Sequence, residues 1–157
     1  MIYTPMTNKA IKLMFNAHKD QVDKSGIPYV FHPWHVAESM PDEVRCTVAL
    51  LHDIVEDTDI TLDRLKEEGF PIEVIEAVDV LTKKDNMNYA EYIRNIKEND
   101  IAIDVKISDL AHNMDKTRST PENSISNIKY QLYESSFNSL VRTKKIRETA
   151  KKFNTYK

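Results

Sequence analysis

The stretch that most constrains this chain is Ala49-Leu50-Leu51-His52-Asp53-Ile54-Val55-Glu56-Asp57-Thr58. Its first half is apolar enough to belong inside a protein. Its second half sets one imidazole and three carboxylates within six consecutive positions. Charges drawn toward an interior need a counter-charge, and a divalent cation is the simplest one. Helical geometry makes the arrangement specific. At ~100° per residue, counted from Val44, residues Val48, Leu51 and Val55 fall within roughly 40° of it and form an apolar stripe. His52, Glu56, Ala49 and Asp53 fall at roughly 80°, 120°, 140° and 180°. The polar groups therefore share a sector beside the buried stripe, and small Ala49 leaves room there. An isolated His-Asp pair would read as a solvated helix end; the rest of the chain decides between that and a metal site.

Composition narrows the field. A chain of 157 residues with 41% apolar content is expected to form one domain, residues 1–157, with a proper core. A net charge of -3 gives no electrostatic footprint for nucleic acid. No segment approaches the ~20 apolar residues of a bilayer span, and the N-terminus has no signal-peptide apolar region. The lone Cys46 excludes an internal disulfide, fits a reducing cytoplasm, and reads as a packing residue. Gly26 and Gly69 are the only glycines, too few for a glycine-rich phosphate loop. Any phosphate must be handled by side chains and a metal.

Scarce glycine and repeated 3.6-residue periodicity predict an all-α domain. Thr7 is expected to cap a helix running to about Lys24, with Ile11, Met14, Phe15, His18 and Val22 inward. Pro33 suits the first turn of a helix to Met40, and Pro41-Asp42 opens a central helix over 44–55. Thr61 caps a short helix ending at Gly69, and Pro71 starts another with Ile72, Ile75, Val78 and Leu81 inside. Asn88 caps a helix carrying Tyr89, Tyr92, Ile93 and Ile96. Residues 101–114 alternate at first like a strand, but Val105, Asp109 and Asn113 at i, i+4, i+8 favour helix. A polar loop over 119–126 precedes two closing helices, 128–140 and 141–153.

Three places carry chemistry: His32, held before Pro33; His52 with Asp53; and Asp109, at the end of a buried run. Two imidazoles and two carboxylates suit Mn²⁺, Fe²⁺ or Zn²⁺. Spacing alone does not choose them, because His18, His35 and His112 are eligible by type. With these pieces in hand, the chain resembles the HD-domain metal phosphohydrolases. More narrowly, it resembles the hydrolase domain of the RelA/SpoT alarmone enzymes and the small alarmone hydrolases. The resemblance is carried by Lys24-Ser25-Gly26-Ile27-Pro28-Tyr29, His32-Pro33 with Val36-Ala37, Leu50 to Thr58, Leu81-Thr82-Lys83, Lys106-Ile107-Ser108-Asp109 and His112-Asn113-Met114. These span roughly residues 7 to 135, in order.

That resemblance implies a single-domain helical HD fold and one Mn²⁺ per chain held by His32, His52, Asp53 and Asp109, with Glu56 and Asp57 orienting and activating water. It implies removal of the 3′-pyrophosphate of guanosine tetra- or pentaphosphate, a stringent-response alarmone. The residues agree, since a metal acidifies water and polarises a phosphoryl oxygen, and Glu56, one turn from His52, can take a proton. Lys24, Ser25 and Asn113 are candidate substrate contacts. Lys106 either joins them or offsets nearby negative charge. Tyr133 resembles a tyrosine that relatives bring near the nucleotide, with Tyr130 competing. His112 reads as packing or support for the ligands, His18 as packing beneath the site, and His35 and Trp34 as surface or core edge. Tyr89 and Tyr92 read as core, and Arg142, Lys144, Lys145 and Arg147 as a solvated face.

There are departures. Asp23 stands where relatives place an arginine before Lys-Ser-Gly, Leu110 stands where a basic residue is usual, and the loop 115–119 differs. They keep open a rival reading as the same machinery on an adenosine alarmone or the 2′-phosphate of NADPH. A non-catalytic nucleotide-binding module is the rival of another class. With no synthetase segment after the domain, a stand-alone cytoplasmic hydrolase is expected.

Overall fold

A computed structural model describes residues 1–118 and 125–154. Helix α1 is Pro5–His18, α2 Phe31–Glu38, α3 Glu43–Leu51, α4 Ile54–Asp57, α5 Leu62–Glu67, α6 Ile72–Leu81, α7 Tyr89–Ile96, α8 Asp100–Met114 and α9 Asn127–Asn154. Among the described residues there is no strand, only the isolated bridge between Val22 and Pro28. The expected caps form at Thr61 and Asn88, and Asp42 caps α3 in the same way, each side chain accepting a first-turn N–H. Asn99 does the same for α8, whose strand-like start is helix throughout.

Helix α1 departs from expectation at both ends. Thr4, not Thr7, is the cap, because Pro5 is preset for the first helical turn. Thr7 closes the reciprocal pair: its N–H donates to Thr4 Oγ1 at 3.2 Å, and Thr4 N–H donates to Thr7 Oγ1 at 2.8 Å. The helix ends at His18 rather than Lys24. The chain then turns on itself, Asp23 N–H bonding Ile27 O at 2.8 Å and Tyr29 N–H bonding Gln21 O at 2.9 Å. Gly26 sits at φ 79°, a conformation a side chain would strain. The inward face is Thr7, Ala10, Met14 and His18, while Phe15 and Val22 are exposed. Ile72 is exposed too, because α6 buries Val74, Ile75, Ala77, Val78 and Leu81.

Helix α3 lies at the centre, packed by α1, α2, α6 and α8. Its residues from Cys46 to Leu51 are all buried. The expected continuous helix over 44–55 is interrupted: α3 stops at Leu51, His52 and Asp53 form a turn, and α4 restarts at Ile54. At the other end, the two expected closing helices are one, α9, with no proline or glycine to divide it at 140–141. Lys144 and Arg147 are not a solvated face. Lys144 Nζ reaches Asp104 at 2.6 Å and Arg147 Nη1 reaches Asp100 at 2.7 Å, which ties α9 along α8. The expected loop at 119–126 lies mostly outside the described residues.

Leu140 is the apolar anchor of α9, with no exposed surface. Leu140→Ala is expected to lower unfolding free energy by about 2–5 kcal/mol in urea denaturation. Asp100 gives a pH signature. Its bonds to Lys151 and Arg147 hold its carboxyl below the usual range. Its stabilisation is therefore present above the ordinary carboxylate pKa and lost as pH falls through the depressed native value. Asp100→Asn should weaken the protein at pH 7, with the difference from the parent closing as denaturation is repeated toward pH 3.

Candidate metal centre

Three separate segments deliver the polar cluster. His32 comes from the first turn of α2, where Pro33 lacks no needed N–H. His52 and Asp53 come from the break between α3 and α4, and Asp109 from the third turn of α8. His52 Nε2 lies 3.0 Å from Asp53 Oδ2 and 3.8 Å from Asp109 Oδ1. His32 Nε2 lies 3.1 Å from Asp109 Oδ1 and 3.5 Å from Asp53 Oδ2. Ligand atoms of His32, His52 and Asp109 all fall within 4.8 Å of one another. Asp53, less buried, closes the group through its contacts with both histidines.

Helical packing fixes one tautomer. At the end of α3, His52 Nδ1–H can only donate to Ala49 O, 2.7 Å away. In the neutral ring it is therefore Nε2 that offers the lone pair, and this nitrogen is buried with no hydrogen-bond partner among the described residues. A buried nitrogen left without a partner is rare, and here it faces a second imidazole and two carboxylate oxygens. That donor set fits a borderline divalent cation.

Around the cluster, each carboxylate has its own support. Lys106 Nζ binds Asp109 Oδ2 at 2.8 Å and lies over the Tyr92 ring, while Asn113 Nδ2 donates to Asp109 Oδ1 at 2.5 Å. Tyr29 OH donates to Asp53 Oδ2 and sits 3.5 Å from Asp57 Oδ2. Burial opposes the charge of Asp109, yet Lys106 and the two histidines more than offset it and hold its pKa well below the carboxylate range. Asp53 is depressed likewise by His52 and His32. Burial opposes protonation of His52 too, but Asp53 and Asp109 push it up to about 10. Glu56 and Asp57 are exposed; partial burial raises both, and Asp53 adds to the shift on Asp57. Glu56 Oε2 accepts Lys83 N–H at 2.8 Å.

A cavity of about 610 Å³ opens beside the cluster. His32, Tyr29 and Asn113 line it, and α9 contributes Tyr130 and Tyr133. Lys24 and Ser25 line it as well. Lys106, Glu56 and Asp57 are not among its lining residues. Ser25 Oγ donates to Arg118 O at 2.9 Å, and Asp23 pairs with Arg118 Nη2 at 3.2 Å, so the turn after α1 is stapled to the segment after α8. Tyr29 and Arg118 were not singled out from sequence. Tyr29 stood inside a quoted motif, whereas Arg118 carries no local signal, since its partner is nearly a hundred residues away.

Comparison with known proteins adds independent findings. The chain is 34% identical over 114 residues to a guanosine-3′,5′-bis(diphosphate) 3′-pyrophosphohydrolase of Haemophilus influenzae, covering 63% of this chain and 17% of that protein. It is 34% identical over 121 residues to a probable enzyme of the same description from Synechocystis, covering 68% and 16%. It is 35% identical over 124 residues to a GTP pyrophosphokinase of Myxococcus xanthus, covering 68% and 16%. The matches span about a sixth of the length of these curated relatives. A solved structure of a metazoan ortholog of SpoT, described as hydrolysing ppGpp, shares the fold with a TM-score of 0.70 at 23% identity, over 90% of this chain and 88% of that one. No family model matches the chain. Among the described residues, no helix is long and apolar enough to cross a membrane.

Cation uptake must displace the protons that crowded carboxylates favour on the two imidazoles. Affinity for a divalent metal should therefore rise with pH toward about 10, the raised value of His52. Calorimetry in buffers of different ionisation enthalpy should register proton release. Saturating metal at a hundredfold over its dissociation constant should add about 2.7 kcal/mol to unfolding free energy, reversed by chelator.

Proposed function

We propose that the chain is a RelA/SpoT-type HD hydrolase and that it removes the 3′-pyrophosphate of guanosine tetra- or pentaphosphate, as its likeness to the curated hydrolases supports. The observation that carries the reading is the convergence of His32, His52, Asp53 and Asp109 beside a nucleotide-sized cavity that His32 lines. These four side chains would hold one divalent cation, Mn²⁺ by preference and Fe²⁺ or Zn²⁺ as alternatives. When bound, the cation supplies Lewis acidity toward water and a phosphoryl oxygen.

The chain's own residues do the rest. Glu56, with Oε2 tied to Lys83 N–H, keeps Oε1 for the proton of the attacking water, and its raised pKa suits a base. Asp57, beside Tyr29 OH, orients that water. Water oxygen bonds the phosphorus attached to the ribose 3′ oxygen, the bond to that oxygen breaks, the 3′ oxygen takes up a proton from solvent to become a hydroxyl, and pyrophosphate and the 5′-phosphorylated guanosine are released. Tyr29 keeps the Asp53 carboxylate in place. Lys106 serves Asp109 rather than the substrate directly, as its 2.8 Å contact supports. Lys24, Ser25, Asn113 and Tyr133 contact the nucleotide from the cavity wall, with Tyr130 offering a second aromatic face. We read the setting as cytoplasmic, on the strength of the lone Cys46, and the partner as a small nucleotide rather than nucleic acid.

A second reading keeps the chemistry and changes the nucleotide. Both oxygens of Asp23 are engaged, Oδ1 by the N–H groups of Ser25 and Ile27 and Oδ2 by Arg118, which favours a cavity wall unlike that of relatives. Turnover of guanosine alarmones, adenosine alarmones and NADPH by Mn²⁺-loaded protein separates the readings. Release of pyrophosphate from the guanosine compounds is expected. Tight nucleotide binding without product from any of them would instead favour a binding module. Asp109→Ala should lose both metal and activity, while Glu56→Ala should lose activity, by about 10²–10⁴-fold, and keep the metal. Equal metal loss in the two variants would overturn this division of roles.

A further inference from the structure

His32 and His112 meet ring nitrogen to ring nitrogen, Nδ1 to Nδ1 at 2.7 Å. Between two imidazole nitrogens at that distance there is room for one proton, so one ring donates and the other accepts. The opposite nitrogen of His32, Nε2, faces Asp109 and Asp53. If Nε2 offers its lone pair to a cation, the ring's proton must reside on Nδ1. We propose that His112 is the positioning residue for His32: its Nδ1 accepts the His32 Nδ1–H and so holds His32 in the one tautomer and orientation that can ligate. The proposal rests on the reading of the cluster as a metal centre.

The surroundings of His112 support an acceptor held in place. Its ring stacks on His35 with centroids 4.1 Å apart and planes at 19°, and lies nearly parallel to His32 at 11°. Arg118 Nη1 donates to the His112 carbonyl at 3.1 Å, which fixes the backbone end. A contrast with His52 shows why His112 matters. His52 is oriented by the Ala49 carbonyl, an acceptor supplied by α3 whatever the side chain at 49. His32 has no such main-chain partner; its Nδ1 depends on one side chain from α8. Partners of this kind typically change metal affinity by about 10–100-fold when removed.

The test compares Mn²⁺ affinity, read by electron paramagnetic resonance, in the parent, His112→Ala, His112→Phe and His112→Asn. Asparagine Oδ1 lies one bond beyond Cγ, as Nδ1 does, and accepts but does not stack. Phenylalanine stacks but does not accept. Alanine and phenylalanine should weaken Mn²⁺ by about 10–100-fold, and asparagine should recover most of the loss. In the Zn²⁺-loaded parent, two-bond proton–nitrogen correlations should show His32 protonated at Nδ1 and His112 protonated at Nε2 alone. Phenylalanine holding Mn²⁺ as well as asparagine, or a proton on His112 Nδ1, would overturn the assignment. A parent protein that takes up no Mn²⁺ would overturn the metal reading instead, which keeps the two failures apart.

Discussion

The Asp109 carboxylate is 3% exposed, and everything near it is arranged to let it stay ionised there. A carboxylate removed from water is strongly destabilising unless its oxygens are bonded and its charge is balanced. Oδ2 has Lys106; Oδ1 has Asn113 and the two imidazoles. Removing one partner of such a group typically costs about 3–5 kcal/mol, because the other is left buried and unmatched. The core could have been apolar at this position with less difficulty. That the chain instead gathers acids and imidazoles from three segments is the physical reason to read chemistry into the site.

Geometry follows from that requirement. An unbroken helix over 44–55 would carry His52 and Asp53 on diverging directions, roughly 100° apart. At the turn between α3 and α4, His52 reaches Asp109 and Asp53 reaches both imidazoles, while Glu56 and Asp57 follow at the surface, outside the buried cluster. Helix α8 links two electrostatic systems on one rod. Asp100 and Asp104 near its start bind the basic residues of α9, while Asp109 and Asn113 serve the centre. The depressed pKa values at Asp53 and Asp109 and the raised one at His52 are reciprocal signs of one crowded charge set rather than separate effects.

Much of this was legible before any coordinates. The all-α class followed from periodicity and scarce glycine, and the side chains that converge are those the family resemblance implies, since type and spacing alone leave His18, His35 and His112 eligible. The caps Thr61 and Asn88 are local signals that the structure keeps, and Asp42, read only as the opening of the central helix, is its cap. What failed was mostly longer in range. The α1 cap moved because Pro5 competes with Thr7; Phe15 falls off the face that Ala10, Met14 and His18 bury, and Val22 lies beyond the helix end, exposed in the turn. The break at His52-Asp53 has no proline or glycine to announce it. The basic face of α9 looked solvated because its acidic partners sit some forty residues away on α8. Arg118 was invisible for the same reason, since Asp23 meets it only once the chain is folded.

Helix α9 runs 28 residues without interruption, yet contributes no side chain to the His-Asp cluster. Its middle and end are moored to α8, and its opening turns furnish Tyr130 and Tyr133. On the proposed function, grip on a guest molecule and retention of an ion would be mounted on different timbers of the same frame. Drift over generations along α9 would then retune which guest is admitted while the inorganic heart beneath stayed undisturbed.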